Sequence, residues 1–407
     1  MGNTLQSLKD GDILRKCLAS YHNKLKFIKT INRQNDDRFA VEGAKNGGTL
    51  LIRNPVEYEV TDGPILNVQD TVETSQTFTV ATQKHVGVNF SSLERTMYVD
   101  DFVERYVDPA MSKLAAMTEY TVLSGVYKDV FNLSGTPATT PASILSVLNA
   151  GVKLSQGLAP ESDRHLLFDS LAMAGTVNSV GQYIHKASEL EKAFSEGYIG
   201  SAAGFKWWES NMIPNHTNGT RTDATPIVPD LSVIANGDSS LVTTGQTNGQ
   251  TLKAGDIFTI SGVYAVNRET KQRYSHLQQF VITADLTCDA TDTFSIAPTI
   301  YKSGARQNVY HATWTGSGTI VHVAAGGSGA ASQIYPQNLA YHRDAFSFVS
   351  ANLYKAPGQP MTSATIEGIS MRYWKGTDII NDKFPERLDV LFGYKTLRPE
   401  WAVRVRG

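Results

Sequence analysis

Leu14, Leu18, Tyr21, Leu25 and Ile28 recur at steps of four, three, four and three, the spacing that lines apolar side chains along one helix face. The first 34 residues therefore predict an amphipathic helical arm. After residue 36 the period shortens to two: Thr49-Leu50-Leu51-Ile52 follows Gly47-Gly48, and Val56, Tyr58 and Val60 alternate with acidic residues before an Asp62-Gly63-Pro64 turn. Phe78, Val80, Val86, Val88 and Phe90 continue the alternation. A long two-stranded excursion with a return strand is expected across residues 36 to 90.

Helical signals return at Asp108-Pro109, where Asp accepts orphan N–H groups and Pro suits the first helical position. Ala110, Leu114, Met117 and Thr121 then mark one face of a long helix reaching Gly125, and Asp100-Asp101 offers an earlier cap. Thr140-Pro141 repeats the signal ahead of Ile144, Leu145, Leu148 and Val152, a second amphipathic helix. A buried strand at His165 to Phe168, a helix over Ser188 to Phe194 and a strand over Gly204 to Trp208 alternate as a mixed α/β body does. In Trp207-Trp208 one ring is expected inside and the other against a neighbour, since successive strand residues face opposite ways.

From about 226 to 334 helix patterning vanishes. Short β-runs at Ile257 to Ile260, Phe280 to Thr283, Phe294 to Ile296 and Thr319 to Val323 are separated by Gly, Asn and Asp turns. This is an inserted all-β module, bounded by Pro226 and Pro229 on one side and by Ala324 to Gly329 on the other. Asn338 to Phe348 and Ile366 to Tyr373 return to the body. Leu388 to Tyr394 and Trp401 to Val405 read as a closing strand pair around Arg398-Pro399. The fold class is α+β with an insertion.

Composition narrows the function. Lys plus Arg (37) against Asp plus Glu (39) in 407 residues gives a formal charge of −2, which excludes the basic footprint of a dedicated nucleic-acid binder. The arm departs from this balance, with Lys9, Arg15, Lys16, Lys24, Lys26, Lys29 and Arg33 against Asp10 and Asp12. Two readings of it stay open: a helix packed on its own domain with lysines in solvent, or a docking arm for another chain or an acidic partner. Charged residues make up 19%, against about 25% in an average globular chain. A surface covered by neighbouring subunits needs less solvating charge, and so does any Thr-rich and Ser-rich β protein.

No stretch reaches the length of a membrane span, the start lacks the apolar core of a signal peptide, and Gly2 has Gln6 where a myristoylation motif has Ser or Thr. A soluble cytosolic product is expected. Cys17 and Cys288 lie far apart without a CxxC, so neither a disulfide framework nor a thiolate metal site is encoded.

Common catalytic patterns are missing from the sequence: GxxxxGK[ST], GxGxxG at a strand-to-helix junction and HExxH do not occur. Thr315-Gly316-Ser317-Gly318 sits in β context as a turn. His311 and His322 could approach across strands, but paired histidines are more often structural than zinc ligands. Asp36-Asp37 and Asp100-Asp101 are sequence neighbours, which serve as caps and turns rather than facing one cleft. Lys395, Arg398, Arg404 and Arg406 against Glu400 read as a solvated or salt-bridged strand end. No catalytic, cofactor-binding or metal residues are assigned, and the chain is not expected to be an enzyme.

Four stretches carry a resemblance to a known family. They are Gly197-Tyr198-Ile199 with Ala203-Gly204-Phe205 and Pro214; Lys253, Gly255, Asp256, Gly262 and Val263; Asn338-Leu339-Ala340-Tyr341-His342 with Ala345-Phe346; and Gly393-Tyr394-Lys395-Thr396-Leu397-Arg398-Pro399-Glu400. Together with the order of elements, they resemble the major capsid (coat) proteins of tailed double-stranded DNA phages, specifically podovirus-type coat proteins with an insertion domain.

The resemblance implies an N-terminal arm (1–35), an extended loop and return strand (36–90), a spine helix with the first part of a peripheral and axial body (91–225), an inserted β-barrel-like domain (226–334) and the second part of the body (335–407). It implies a virion protein that assembles with itself, as pentamers and hexamers of an icosahedral shell, in the host cytoplasm. A scaffolding protein, a portal and packaged double-stranded DNA are the implied partners, with no membrane and no cofactor. Arg15, Lys16, Lys24, Lys26, Lys29 and Arg33 are candidates to face scaffold or DNA. Gly47, Gly48, Tyr58, Asp62 and Gly63 are candidates for contact between subunits. An encapsulin-like compartment, and a monomeric enzyme or binding protein, are the competing expectations.

Overall fold

The computed structural model describes residues 10–33, 49–66, 68–91, 108–136, 139–180, 201–221, 226–322, 332 and 334–407. The chain divides into two compact units. The first comprises Met1–Ile52, Ser75–Val122 and Phe346–Lys395, the second Arg53–Thr74, Leu123–Ala345 and Thr396–Gly407. Helices and strands are numbered in chain order over the described residues.

In the first unit, helix α1 (Asp10–Lys24) is followed by a single helical turn at Phe27–Thr30. Strands β1 (Thr49–Arg53) and β2 (Ser75–Thr79) pair. A five-stranded sheet is formed by β20 (Phe346–Ala351), β23 (Lys383–Thr396), β22 (Ile369–Lys375) and β21 (Met361–Ile366), with β3 (Thr82–Ser91) antiparallel along β23 from Phe392↔Thr82 to Lys383↔Ser91. The expected return strand is this β3. Helix α1 packs on β21 and β22. Asp389, fully buried in β23, accepts from Arg372 Nη2 (2.7 Å), Arg387 Nε (2.6 Å) and Gln83 Nε2 (3.1 Å), so its charge is paired rather than stranded.

Helix α2 (Asp108–Val126) starts at the expected Asp108-Pro109. Its inward face is Met111, Leu114, Ala115, Thr118, Glu119 and Val122, while Met117 is exposed. The face read from Ala110, Leu114, Met117 and Thr121 is thus rotated, because a buried Thr and Glu interrupt the apolar stripe.

The second unit holds a mixed six-stranded sheet in the order β4 (Leu133–Ser134), β24 (Ala402–Val405), β19 (Asn338–His342), β5 (Arg164–Phe168), β7 (Phe205–Glu209), β6 (Ser201–Ala202). Helices α3 (Ile144–Gln156) and α4 (Ser170–Val180) cover it, with Val147, Ala150, Leu154, Met173 and Trp207 in the core. Ser143, not Thr140, caps α3, its Oγ accepting from Leu145 N at 3.2 Å. Leu145, Leu148 and Val152, expected inside, are exposed. The face that packs is Val147, Ala150, Gly151 and Leu154 instead, and a Cβ on Gly151 would meet the Phe205 ring at 3.5 Å. As expected, Trp207 is buried and Trp208 reaches a neighbour, donating Nε1–H to His165 Nδ1 at 3.1 Å.

The expected closing strand pair is not formed. Arg398-Pro399 leads into a helical turn at Pro399–Trp401, which sends β24 to β19 and β4 while β23 stays in the other unit's sheet. A short pair, β8 (Asn215–Thr217) with β18 (Ile334–Pro336), flanks the insertion in sequence.

The insertion is a closed barrel. β9 (Ile227–Val228), β10 (Asp238–Thr244), β12 (Ile257–Val266), β13 (Arg273–Ile282), β15 (Thr291–Ile300) and β17 (Gly318–His322) run in the order β13-β15-β10-β9-β17-β12, and β12 pairs β13 to complete the ring. All these pairings are antiparallel. β16 (Val309–Tyr310) adds to β12, and β11 (Thr251–Leu252) pairs β14 (Leu286–Thr287). Inside lie Leu241, Phe258, Ile260, Phe280, Ile282, Phe294 and Ile320, with Phe258 stacked on Phe280 (5.6 Å) and edge-on to Phe294 (5.4 Å). Closure gives the six ring strands partners on both sides, which removes the sheet edges that otherwise recruit other chains.

Candidate functional site

Three places hold the chemistry of the described residues: the arm, the ribbon between β1 and β2, and a buried polar junction in the second unit.

The arm buries its apolar stripe. Leu14, Cys17, Leu18, Tyr21, Leu25, Phe27, Ile28 and Ile31 all lie inside the first unit, so the packed-helix alternative describes residues 14–31. Glu119 of α2 organises the junction after α1. Its Oε1 accepts from the backbone N–H of Lys26 and of Phe27 (2.6 Å), satisfying donors that open the Phe27–Thr30 turn. Burial pushes this carboxyl up to about 6 despite those hydrogen bonds. His22 Nε2 meets Glu367 Oε2 at 2.7 Å, and Arg33 Nη1 donates to the Glu367 carbonyl at 2.9 Å. Arg15, Lys16, Lys24 and Lys26 are exposed, whereas Lys29 and Arg33 are half-buried.

The ribbon, residues 54–74, is expected as paired strands, and its described residues, 54–66 and 68–74, form no continuous ladder. Asn54 N donates to Thr74 O (2.8 Å) and Glu59 N to Gln69 Oε1 (2.9 Å), with the Gln69 amide returning to the Glu59 carbonyl. Tyr58 is exposed, its hydroxyl 3.4 Å from Thr71 Oγ1, and Asp62 is exposed beside Gly63. Gly63 has φ +104°, the left-handed region where a side chain is strained. Gly47 and Gly48 lie outside the described residues. Arg306 Nη2 donates to the Val72 carbonyl (3.2 Å), and Arg268 approaches Glu57 at 3.9 Å. The aliphatic side chains remain in solvent: Val60 is 91% exposed, Ile65 and Leu66 85%, Val68 78%. Val60 belongs to the period-two pattern and Ile65-Leu66 does not, yet an apolar pair directly after a Gly-Pro turn is unusual in a loop that stays solvated.

The junction centres on Asp256, which is buried. Its Oδ1 lies 2.9 Å from His216 Nε2, and its Oδ2 accepts from Arg221 Nη1 (2.8 Å), Lys253 N (3.0 Å) and Gly219 N (3.2 Å). Burial raises a carboxyl, but the His216 hydrogen bond and the Arg221 charge outweigh it and bring the group to about 2. Arg404 and Arg406 are buried here, so they are not the solvated strand end expected from their sequence. Alternation with Val403 and Val405 reads as a half-buried strand with its arginines outward, so the residues alone carry no signal of their burial. Arg398, by contrast, covers the Trp401 ring at 4.1 Å.

Reactive chemistry is sparse. Burial pushes the Cys17 thiol up to about 12 and that of Cys288 to about 11, which makes both poor nucleophiles. Among the described residues no group of three or more His, Cys, Asp and Glu could hold a metal ion, and no helix is long and apolar enough to cross a membrane. His311 and His322 take different surroundings, the former beside Trp314 and the latter against Phe258. A cavity of about 60 Å³ beside Lys153 and His276 has room for a few waters. Burial lowers that lysine to about 8 and that histidine to about 4.

The family model described as P22 coat protein, gene protein 5, matches residues 57–407. The chain belongs to the P22 coat protein family, and with it to the major capsid proteins of tailed phages. Solved structures are similar at low identity. A chain from Mycobacterium phage Che8 is 12% identical over 93% of this chain and 90% of that one, with a TM-score of 0.48. One from the capsid of Cyanophage P-SCSP1u is 13% identical over 88% and 83% (TM-score 0.43), and one from the mature capsid of bacteriophage PhiM1 is 10% identical over 88% and 82% (TM-score 0.42). The family match, which spans the insertion, carries the identification. No curated protein matches significantly. The chain is a structural component of the virion that assembles with itself.

Proposed function

We propose that copies of this chain close into an icosahedral shell of pentamers and hexamers in which the ribbon of each subunit lies against a neighbour. The observation that carries this reading is the run of exposed aliphatic side chains at Val60, Ile65, Leu66 and Val68. Burying a side chain of that size is worth about 1.5 to 3 kcal/mol. Four of them supply several kcal/mol per contact before the costs of association, and a closed shell repeats the contact at every subunit. The exposed Leu145, Leu148 and Val152 of α3 and the Ile379-Ile380 pair between β22 and β23 are further apolar surfaces of the same kind.

The finer partners follow from charge. Arg15, Lys16 and Lys24 on the anchored helix and Lys26 just after it are exposed cations, suited to an acidic assembly scaffold and later to DNA phosphates. The near-neutral chain as a whole suits a wall along which packaged double-stranded DNA slides, since a densely basic lining would hold phosphates through counterion release. A portal at one vertex and assembly in the host cytoplasm complete this reading, together with a structural rather than catalytic role. The barrel, closed on itself, serves as a brace for its subunit. The encapsulin-like alternative is weaker, because the family match includes the insertion.

Electron microscopy of the purified, expressed chain tests the reading. Closed shells or tubes are expected, and small particles under every assembly condition would refute it. For the arm, charge reversal at Lys16, Lys24 and Lys26 is expected to reduce scaffold-dependent assembly or genome content while leaving the fold intact. Unchanged assembly and content would remove the arm's role.

A further inference from the structure

By its contacts the ribbon, Arg53–Thr74, falls in the second unit with the barrel, although β2 and nearly all of β1, the strands at its base, fall in the first. Its charge suits the barrel. Residues 54–74 hold five acidic side chains and no basic one. Two barrel segments, 267–273 where β12 turns into β13 and 301–308 between β15 and β16, hold five basic side chains against the single acid Glu269.

These segments are fixed by their own hydrogen bonds. Asn267 Oδ1 accepts from Glu269 N (2.9 Å) and Thr270 N (3.1 Å). Asn267 N donates to the Gln272 carbonyl and Lys271 N to the Asn267 carbonyl, both at 2.9 Å. Lys271 Nζ then crosses to the Ala305 carbonyl, which ties the turn to the second segment. Their side chains are thus presented from a set frame.

Each segment takes one leg of the ribbon. On the outgoing leg Glu57 Oε1 lies 3.9 Å from Arg268 Nη1. Burial lowers the pKa of Lys271, and the carboxylates of Glu57 and Glu59 oppose that shift, so both acids act on this lysine. On the returning leg the Val72 carbonyl accepts from Arg306 Nη2 at 3.2 Å. Arg268 Nη1 also lies 3.4 Å from Glu400 Oε1, which connects this grip to the helical turn before β24. The legs are held while the tip between them, with Val60, Ile65, Leu66 and Val68, stays exposed.

We propose that Arg268, Lys271 and Arg306 are positioning residues for assembly: the basic end of the barrel clasps the acidic legs of the ribbon and aims its apolar tip at the neighbouring subunit. The proposal rests on the reading that the ribbon meets a neighbour, and it gives the insertion a task in that contact. Exposed ion pairs are individually weak and screened by salt, so the clasp biases the direction of the ribbon without locking it.

Charge reversal on the ribbon, Glu57→Lys with Glu59→Lys, tests this in the full chain. Chymotryptic cleavage after Leu66 in the unassembled protein is expected to quicken about fivefold, and shell formation to slow by about the same factor, the size of effect that two exposed pairs support. Adding Arg268→Glu and Lys271→Glu to the same chain reverses both sides of the clasp and is expected to restore both rates. Cleavage equally fast in the native sequence and in the ribbon variant overturns the clasp, whatever the shells do. Faster cleavage with an unchanged rate of shell formation overturns its positioning role, and absence of rescue overturns the pairing. Should the fourfold variant fail to fold, salt decides: raising ionic strength from ~0.05 M to ~0.5 M is expected to bring native cleavage up to the variant's rate, and an unchanged gap overturns the clasp. Failure of the underlying reading shows differently, as shells in native yield from Ile65→Asp with Leu66→Asp, a result that leaves the cleavage difference in place.

Discussion

Between Leu14 and Ile31 eight apolar side chains are buried within the first unit, while between Val60 and Val72 five aliphatic side chains stand in solvent. Both segments are rich in apolar residues and polar between them. They differ in periodicity. The arm repeats every three to four residues and presents one face that its own unit covers, whereas the ribbon turns at Gly63-Pro64 and presents apolar groups in several directions. A segment of the second kind finds no face of its own chain to lie on. The contrast teaches that apolar content alone does not say where a segment is satisfied; period and backbone pairing do.

The comparison breaks most readily on the arm side. Phe27→Ala is expected to cost about 3 to 5 kcal/mol of stability, because it opens a cavity against Phe346, whose ring lies 5.7 Å away. Denaturant unfolding measures this, and a cost below about 1 kcal/mol would mean that the arm is not integral to its unit.

A smaller effect sharpens the comparison through pH. Glu119 has its folded pKa raised from 4.5 to about 6, so the folded chain holds its proton more tightly than the unfolded chain. Stability from this group is complete below about 4.5 and is lost as pH rises through 6, a change of about 2 kcal/mol. Glu119→Gln keeps an acceptor for Lys26 and Phe27 and removes the titration. Its stability relative to the native sequence is expected to rise by that amount between pH 4 and 7.5. A pH-independent difference would show that the carboxyl is not buried as described.

Much of the fold could be read from residues alone. Asp108-Pro109 marked the start of α2, and the runs beginning at Ile257, Phe280, Phe294 and Thr319 overlap four barrel strands, because turn residues and period-two alternation are local signals. β9 and β10 were missed, since a polar run such as Asp238 to Thr244 acquires its strand character from pairing with β15. The inward faces of α2 and α3 were misjudged where Thr118, Glu119 and Gly151 alter what a helix can bury. Tyr58, Asp62 and Gly63 located the ribbon, but not the exposed Ile65-Leu66 beyond it. The junction was hidden for a different reason: Arg404 and Arg406 resemble any basic strand end until the fold buries them.

The smallest expected change in stability belongs to the ribbon, and it gives the most direct test of the central claim. Ile65→Asp combined with Leu66→Asp alters exposed side chains and is expected to change unfolding free energy by no more than about 0.5 kcal/mol per site. Sedimentation velocity of this variant under conditions where the native sequence forms shells should find folded small particles only. Shells in native yield would contradict the account.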